Sequence, residues 1–466
     1  MKFKKFIALI CILSLSVGTA FAIQDVKKPK KSKTVQETPL YTNEVHSVFS
    51  LQDCVEIAIK NNPIIRASLY EEAAYKSKIG QAWANYFPVI NAGVDLTRSG
   101  TKYTHRKNLP ASYRNTYNTM GYVPNVSADM LLFDFGKTKS MADIAKRTYE
   151  AKQADTKENI NSIIYDIKST YFNILFAQAQ VKVYEDTVRD YQLQLDQAQG
   201  FYKFGIKPKI DVVTAEYNLG RAQLQLVKAK NVLKVARVQL AKVMGVPGYT
   251  NYELSGELSL NKYNLNIEDA IKTAMEVRPE LVAAEKMAKA AKVTLRAARR
   301  VFTPDLNVFG SYGNGLGNNY DMRSTQFGVS LDYAGLNLLQ AKKQLDEAKA
   351  EYQKSEAEYD VVRDLVYLNV ESSYIELETA GEAIIIAKLA LDQAKEQYKQ
   401  VTGRYKAGVG DAIELKDGEN TYLNARLDLY NAILNYNVTA ANLEREIGVP
   451  IKASDELILD IKSEDI

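Results

Sequence analysis

Two periods take turns along the chain. In PVINAGVDLT (residues 88–97), Ile90, Ala92, Val94 and Leu96 fall on one face and Asn91, Asp95 and Thr97 on the other. This is the two-residue alternation of a half-buried strand. Tyr122, Val126, Ala128, Met130 and Leu132, set against Asn125, Ser127 and Asp129, give a returning strand. The same contrast recurs with Leu306, Val308 and Tyr312 against Asn307 and Ser311. It recurs again with Phe327, Val329, Leu331 and Tyr333 against Gln326, Ser330 and Asp332. Two hairpins are predicted, at about 88–133 and 305–334, with strands about 10 residues long, enough to cross a bilayer when tilted.

Elsewhere the period lengthens to that of long helices. Val366, Val370, Ser373, Leu377, Ala380, Ile384, Ala387, Leu391, Ala394, Tyr398 and Val401 repeat at alternating steps of three and four. Ala177, Val181, Tyr184, Val188, Tyr191, Leu195 and Ala198 do the same. A mean period of 3.5 winds a helix left-handedly against a partner. Residues 339–402 lie in a stretch without proline and would extend about 96 Å as one helix. The return segment carries two adjacent stripes, Tyr422, Ala425, Leu429, Ala432, Tyr436 and Leu423, Leu427, Tyr430, Leu434. Two seams imply neighbours on both sides, as in a ring of helices.

The plan is written twice. SLQDCVEIAIKNNPIIRAS (50–68) matches NIEDAIKTAMEVRPELVAA (266–284), so that Pro63 pairs with Pro279 and Pro88 with Pro304. Further on, Tyr171 pairs with Tyr374, Gly205 with Gly408 and Pro247 with Pro450. The shorter spacing of the later pairs leaves extra residues in the first copy, and the Tyr-rich loop 98–119 is the place for them. Each copy opens on a predicted capping box, Ser50 with Asp53 and Asn266 with Asp269. The opening helices end at the prolines. The expected organisation is a first repeat over 50–248, a linker over 249–265, a second repeat over 266–450 and a tail over 451–466.

One turn also appears in both copies, as YKFGIKPKID (202–211) and YKAGVGDAIE (405–414). Gly205 and Gly408 suit the left-handed residue that ends a helix. Asp211 and Glu414 then fall at the start of the returning helices. By themselves these carboxylates read equally well as helix caps or solvated charges, and Tyr405 as seam packing.

The N-terminus and the composition narrow the setting. Lys2, Lys4 and Lys5, the apolar run FIALICILSLSVG and Ala20-Phe21-Ala22 describe a secretory signal over residues 1–22, cleaved after Ala22. A Lys-rich leader, read as disordered, fills 23–49. Cys11 follows the bulky Ile10 and is a poor site for a lipid anchor. Removing the signal takes three of the 60 basic residues, leaving near balance with 56 acidic ones, which argues against nucleic acid. Cys54 is then the one cysteine. With only His46 and His105 and no His/Cys cluster, neither an enzyme nor a zinc site is indicated, and no cofactor is predicted. No later apolar stretch approaches the roughly 18 residues of a membrane helix. Any membrane span must therefore be made of strands.

Four strands are too few to close a barrel, for which about eight are needed. Open strand edges in lipid would leave backbone groups unsatisfied, so several chains would have to share one barrel. A soluble periplasmic coiled-coil scaffold, or a hairpin adaptor, is the alternative, but it has no use for strands with a continuous apolar face. In its duplicated NNPIIRAS and RPELVAAE starts, alternating hairpins, heptad helices, paired glycine turns and GVP ends (245–247, 448–450), the chain resembles the TolC family of outer-membrane efflux channels over about residues 49–450. The resemblance implies a mostly α fold with a β-barrel contribution. Three chains would give four strands each to a shared 12-stranded barrel set in outer-membrane lipid, above a trimeric α-barrel tunnel reaching into the periplasm. It also implies an inner-membrane pump and a periplasmic adaptor as partners, in an efflux or secretion system. In the family a Tyr and an Asp bond at the tips to hold the pore shut, and two acids ring the constriction. Tyr405 and Asp211 match the bonding pair, and Glu414 and Asp417 match the ring. The family's prototype has an arginine where this chain has Gly410, and Lys207 or Lys209 is positioned to stand in for it.

Overall fold

The computed structural model describes residues 47–101, 117–256, 258, 261–263, 265–317, 321–333, 337–451 and 453–457. The signal segment 1–22, leader residues 23–46 and the middle of the Tyr-rich loop lie outside the described residues. In chain order, β1 (Ser47–Phe49) precedes helices α1 (Leu51–Asn61) and α2 (Pro63–Trp83), strands β2 (Val89–Thr101) and β3 (Tyr117–Phe133), and helices α3 (Lys137–Lys203) and α4 (Lys209–Val243). Short strands β4 (Tyr252–Leu254) and β5 (Asn261–Tyr263) follow. The order then recurs as α5 (Ile267–Val277), α6 (Pro279–Ala298), β6 (Asp305–Gly317), β7 (Asp321–Asp332), α7 (Leu338–Lys406) and α8 (Ala412–Ile447), with β8 (Ala453–Leu457) last. The chain divides into a small unit, residues 1–48 with 251–253, and a large one, 49–250 with 254–466. The described part of the small unit is residues 47–48 and 251–253, which hold most of the paired strands β1 and β4. All other elements belong to the large unit, where β5 from the linker pairs with β8 from the tail.

The caps follow the sequence with one difference. Ser50 and Asp53 form the full box. Asn266 instead folds back on the Glu268 N–H at 3.0 Å, leaving Asp269 out of the cap. The short amide side chain reaches two residues on, as in an Asx turn. Pro63 and Pro279 each end one helix and occupy the first position of the next, where a missing N–H costs nothing.

The start of each copy docks on its own end. Asn62 Nδ2 donates to the Val243 carbonyl at 2.8 Å. Gly245 lies so close beneath that a Cβ there would come within 2.6 Å of the Asn61 carbonyl oxygen. In the second copy buried Arg278 donates to the Glu446 carbonyl at 2.6 Å and pairs with its carboxylate. Burial alone would raise the Glu446 carboxyl, but bonds from Arg445 and Arg278 bring it below its ordinary value.

Strands β2, β3, β6 and β7 make one antiparallel sheet in that order. Its register joins the predicted faces across strands. Ala92 pairs with Val126, which pairs with Tyr312, while Asn91 pairs with Ser127 and then Ser311 and Gln326. The apolar face is bare, with Leu96 and Phe327 about four-fifths exposed, 77% and 82%. The polar face is bonded within itself, Asn125 Nδ2 to Asp95 at 2.7 Å and Asn307 Nδ2 to Asp332 at 2.7 Å. Phe309, on that face, lies over Gly328, where an added Cβ would approach its ring to 2.8 Å. The partners on β6 skip Val123 and Pro124 and resume in the same register, as expected where proline lacks a donor.

The long helices pair as two hairpins, α3 with α4 and α7 with α8, and α3 also packs on α8. Their lateral order is therefore α4, α3, α8, α7. The stripe from Val366 to Val401 is buried or half-buried throughout, and both stripes of α8 are covered, one facing α7 and the other α3. Helix α7, at 69 residues, would measure about 104 Å. No described helix is long and apolar enough to cross a membrane.

Candidate functional site at the hairpin tips

Both hairpins turn by the same device. Ile206 N–H bonds the Phe201 carbonyl at 2.9 Å and Gly205 N–H the Tyr202 carbonyl at 3.0 Å. In the second tip Val409 N–H bonds the Arg404 carbonyl at 3.1 Å and Gly408 N–H that of Tyr405 at 3.0 Å. These are the crossed bonds that satisfy the last carbonyls of a helix ending in a left-handed residue. Gly205 and Gly408 sit at φ 71° and 78°.

Tyr405 is buried with Val401 and Leu415, and Phe201 of the other hairpin meets its ring edge-on at 6.2 Å. Its hydroxyl is raised by burial first, then by the charges of Asp211 and Asp411. No hydrogen bond joins Tyr405 to Asp211 among the described residues, so the two are brought near without the expected bond. Glu414 stands in the first turn of α8 and pairs with Arg404 at 2.7 Å. Asp417 follows one turn later, exposed, and on the same face of the helix.

Gly410, the departure from the family pattern, has a steric explanation. It is buried, and a Cβ there would lie 2.7 Å from the Tyr405 nitrogen and 2.9 Å from the Arg404 carbonyl carbon. No side chain fits without moving backbone. Lys207 of the first tip donates from Nζ to the Gly410 carbonyl at 3.1 Å and lies 5.7 Å from the Tyr405 ring centroid. Lys209 is exposed.

This contact is the end of a series. Along the α3–α8 seam, Lys168 pairs with Glu444, Arg426 with Asp186 at 3.2 Å, and Gln194 Nε2 donates to Glu419 at 3.0 Å. The last three went unread in the sequence. A charged residue on a helical stripe was the available signal, because Glu419 lies four residues after Leu415 and three before Tyr422. Burial first, then Asp190, raises Glu419 to about 7, against bonds from Gln194 and Tyr191.

A four-stranded sheet with one bare apolar face thus continues into two helical hairpins tied to each other. The family described as outer membrane efflux protein matches residues 54–246 and 270–449, and the chain belongs to that family. It is similar to the probable efflux pump outer membrane protein TtgC of Pseudomonas putida, 20% identical over 412 residues, 86% of this chain and 83% of that protein. It is 21% identical to outer membrane protein TolC of Escherichia coli over 426 residues, 86% of this chain and 82% of that one. Among solved structures, CusC superposes with a TM-score of 0.73 at 18% identity, covering 88% of this chain and 95% of CusC. The CmeC outer membrane channel of Campylobacter jejuni does so with a TM-score of 0.73 at 16% identity, covering 87% of each chain. The protein is thus an outer-membrane efflux channel with a helical part directed into the periplasm. The scaffold alternative falls.

Proposed function

We propose that three copies form one exit duct, each giving four strands to a common barrel and four long helices to a common tunnel. A pump in the inner membrane and a periplasmic adaptor would feed it, and the hairpin tips would gate it. Passage through such a duct requires no covalent step.

The observation that carries this reading is the state of the two lateral edges. On α4, Ile210, Val213, Tyr217, Leu224, Val227, Val235 and Val238 are exposed; on α7, so are Val361, Leu365, Leu368, Ile375, Ile386 and Leu389. The α7 row keeps the seven-residue spacing of a coiled-coil seam, and the α4 row does so except at Val235, yet neither has a partner helix among the described residues. Edge strands β2 and β7 are likewise open. A rotation that lays α4 of one copy on α7 of the next satisfies both edges and closes a ring.

At the tip, the packing of Phe201 on Tyr405 and the bond from Lys207 to the Gly410 carbonyl would hold the hairpins, with Asp211 close to Tyr405, and Glu414 and Asp417 would be gathered around the axis by symmetry. Such a ring attracts cations, divalent ones above all. Light scattering of the purified protein in detergent is expected to give three chains, and a monomer would overturn the duct. In planar bilayers the conductance is expected to be cation-selective and blocked by divalent cations. Glu414→Ala with Asp417→Ala should weaken both properties with assembly intact; unchanged selectivity would make these ordinary surface charges.

A further inference from the structure

The Gln194–Glu419 contact differs from its neighbours on the α3–α8 seam, which pair opposite charges. Glu419 is 4% exposed, and its Oε2 accepts from an amide, Gln194 Nε2, at 3.0 Å. Its Oε1, also buried, has no hydrogen-bond partner, and the Thr402 hydroxyl on α7 is orphaned too. From α3, Asp190 and Tyr191 face the carboxylate, and from α7 Tyr398 does. The nearby cations act elsewhere: Arg189, Arg426 and Lys406 on Asp190, and Arg221 of α4 on Tyr191. Two carboxylates from opposite hairpins therefore meet at a site where one is enclosed without a counter-ion. The corresponding residue of the first copy, Glu216, is exposed on α4.

A buried carboxylate with an open lone pair is costly when ionised, and two acids at one site resist ionising together. We propose that Glu419 is a protonation latch between the hairpins: its protonated form keeps the α3–α8 seam shut behind the tips, and loss of the proton drives the seam apart and opens them. This rests on the reading of the tips as a gate.

The direction of the effect follows from where the proton is held more tightly. In the shut seam burial, and then Asp190, raises the Glu419 carboxyl from 4.5 to about 7. The shut form consequently binds more protons than an open form with Glu419 in water. Its advantage is complete below pH 4.5, declines as the pH rises towards about 7, and is spent above that. Asp190 is raised in the same sense, by burial and by Asp186.

The test is open probability of the intact assembly in planar bilayers. For the wild type a rise on the order of tenfold is expected from about pH 5.5 to about pH 8. Glu419→Gln, which keeps shape and hydrogen bonding, should stay shut and flat across that range, and Asp190→Asn, which removes a charge that helps hold the Glu419 proton, should make the rise smaller and complete it at lower pH. Lys207→Met serves as the control on the gate itself. If Glu419→Gln titrates like the wild type while Lys207→Met leaks, the latch is overturned and the gate stands. If none of the three alters conductance, the gate reading fails and the latch with it. Should Glu419→Gln not assemble, hydrogen exchange of residues 412–423 in the wild type decides, corrected for intrinsic rate. Protection lost at the higher pH supports the latch, and protection unchanged overturns it.

Discussion

The first tip and the second turn on the same pair of crossed hydrogen bonds, around glycines of nearly the same φ, yet they differ on their inner side. Ile206 and Ile210 of the first stand in the open, as do their counterparts Val409 and Ile413 of the second, but Tyr202 of the first is half-exposed. In the second, Tyr405 and Gly410 are buried, and Lys207 reaches over from the first tip to bond the latter. Lys207 and Gly410 occupy equivalent places in the two copies, 203 residues apart. What separates them is lateral position: α8 lies between α7 and α3, whereas among the described residues α4 packs along α3 alone. The duplication repeats a backbone, and the neighbouring helix decides what each side chain does. Glu216 and Glu419 make the same point, one solvated and the other enclosed.

The contrast between the tips can be broken most severely at Gly410. Gly410→Arg, which restores the residue of the family's prototype, should force the Tyr405 backbone aside. Overpacking of this kind costs about 1–3 kcal/mol, so a large rise in resting conductance and a lower melting temperature are expected. Gly220→Ala, where a Cβ would meet nothing within 4 Å, should leave both unchanged. A silent Gly410→Arg would mean that the tip has room the geometry denies.

Lys207→Met keeps the apolar stem and removes the donor. A hydrogen bond from a charged group contributes roughly 1.5–3 kcal/mol when well enclosed. Half-buried Lys207 should give less, seen as a several-fold increase in resting leak. Lys209→Met, at an exposed neighbour, should show none, and equal leak from both variants would remove Lys207 from the contact. The smallest effect is expected from Tyr405→Phe. The hydroxyl has no bond to Asp211 within the chain, and the ring packing against Phe201 survives the change. Single-channel traces indistinguishable from wild type would establish Tyr405 as packing, whereas frequent openings would show that its hydroxyl bonds a neighbouring copy.

Much of this architecture could be read from the sequence because periodicity is local. The stripe from Val366 to Val401 and the alternating faces of the strands are each set by spacing on one element. So are the turns at Gly205 and Gly408. The seams on α4 and the outer face of α7 obey the same spacing rule, but they were left unread beside the stronger stripes. The contact of Lys207 with a backbone carbonyl was less accessible. It depends on two tips distant in sequence, and a carbonyl oxygen carries no signature in the residue that bears it. Glu419 was hidden differently: a charged residue on a helix ordinarily faces water, and only the sandwiching of α8 encloses it. The bond expected between Tyr405 and Asp211 came from the family's pattern. It requires an alignment of side chains that position alone does not secure.

The docking of each copy's start on its own end bears on how the chain folds. Asn62 is held by Val243, 181 residues later, and Arg278 by Glu446, 168 later. Closing loops of that size costs entropy before any contact repays it, and such distant pairings slow folding. The helical hairpins, by contrast, close around turns of a few residues. The hairpins are therefore expected to zip early, while the corner that launches each strand pair waits for the last helix of its copy to arrive. A chain delivered from its amino end would finish its first copy before the second had all its residues, so a truncation just short of Glu446 should leave one corner fastened and the other loose.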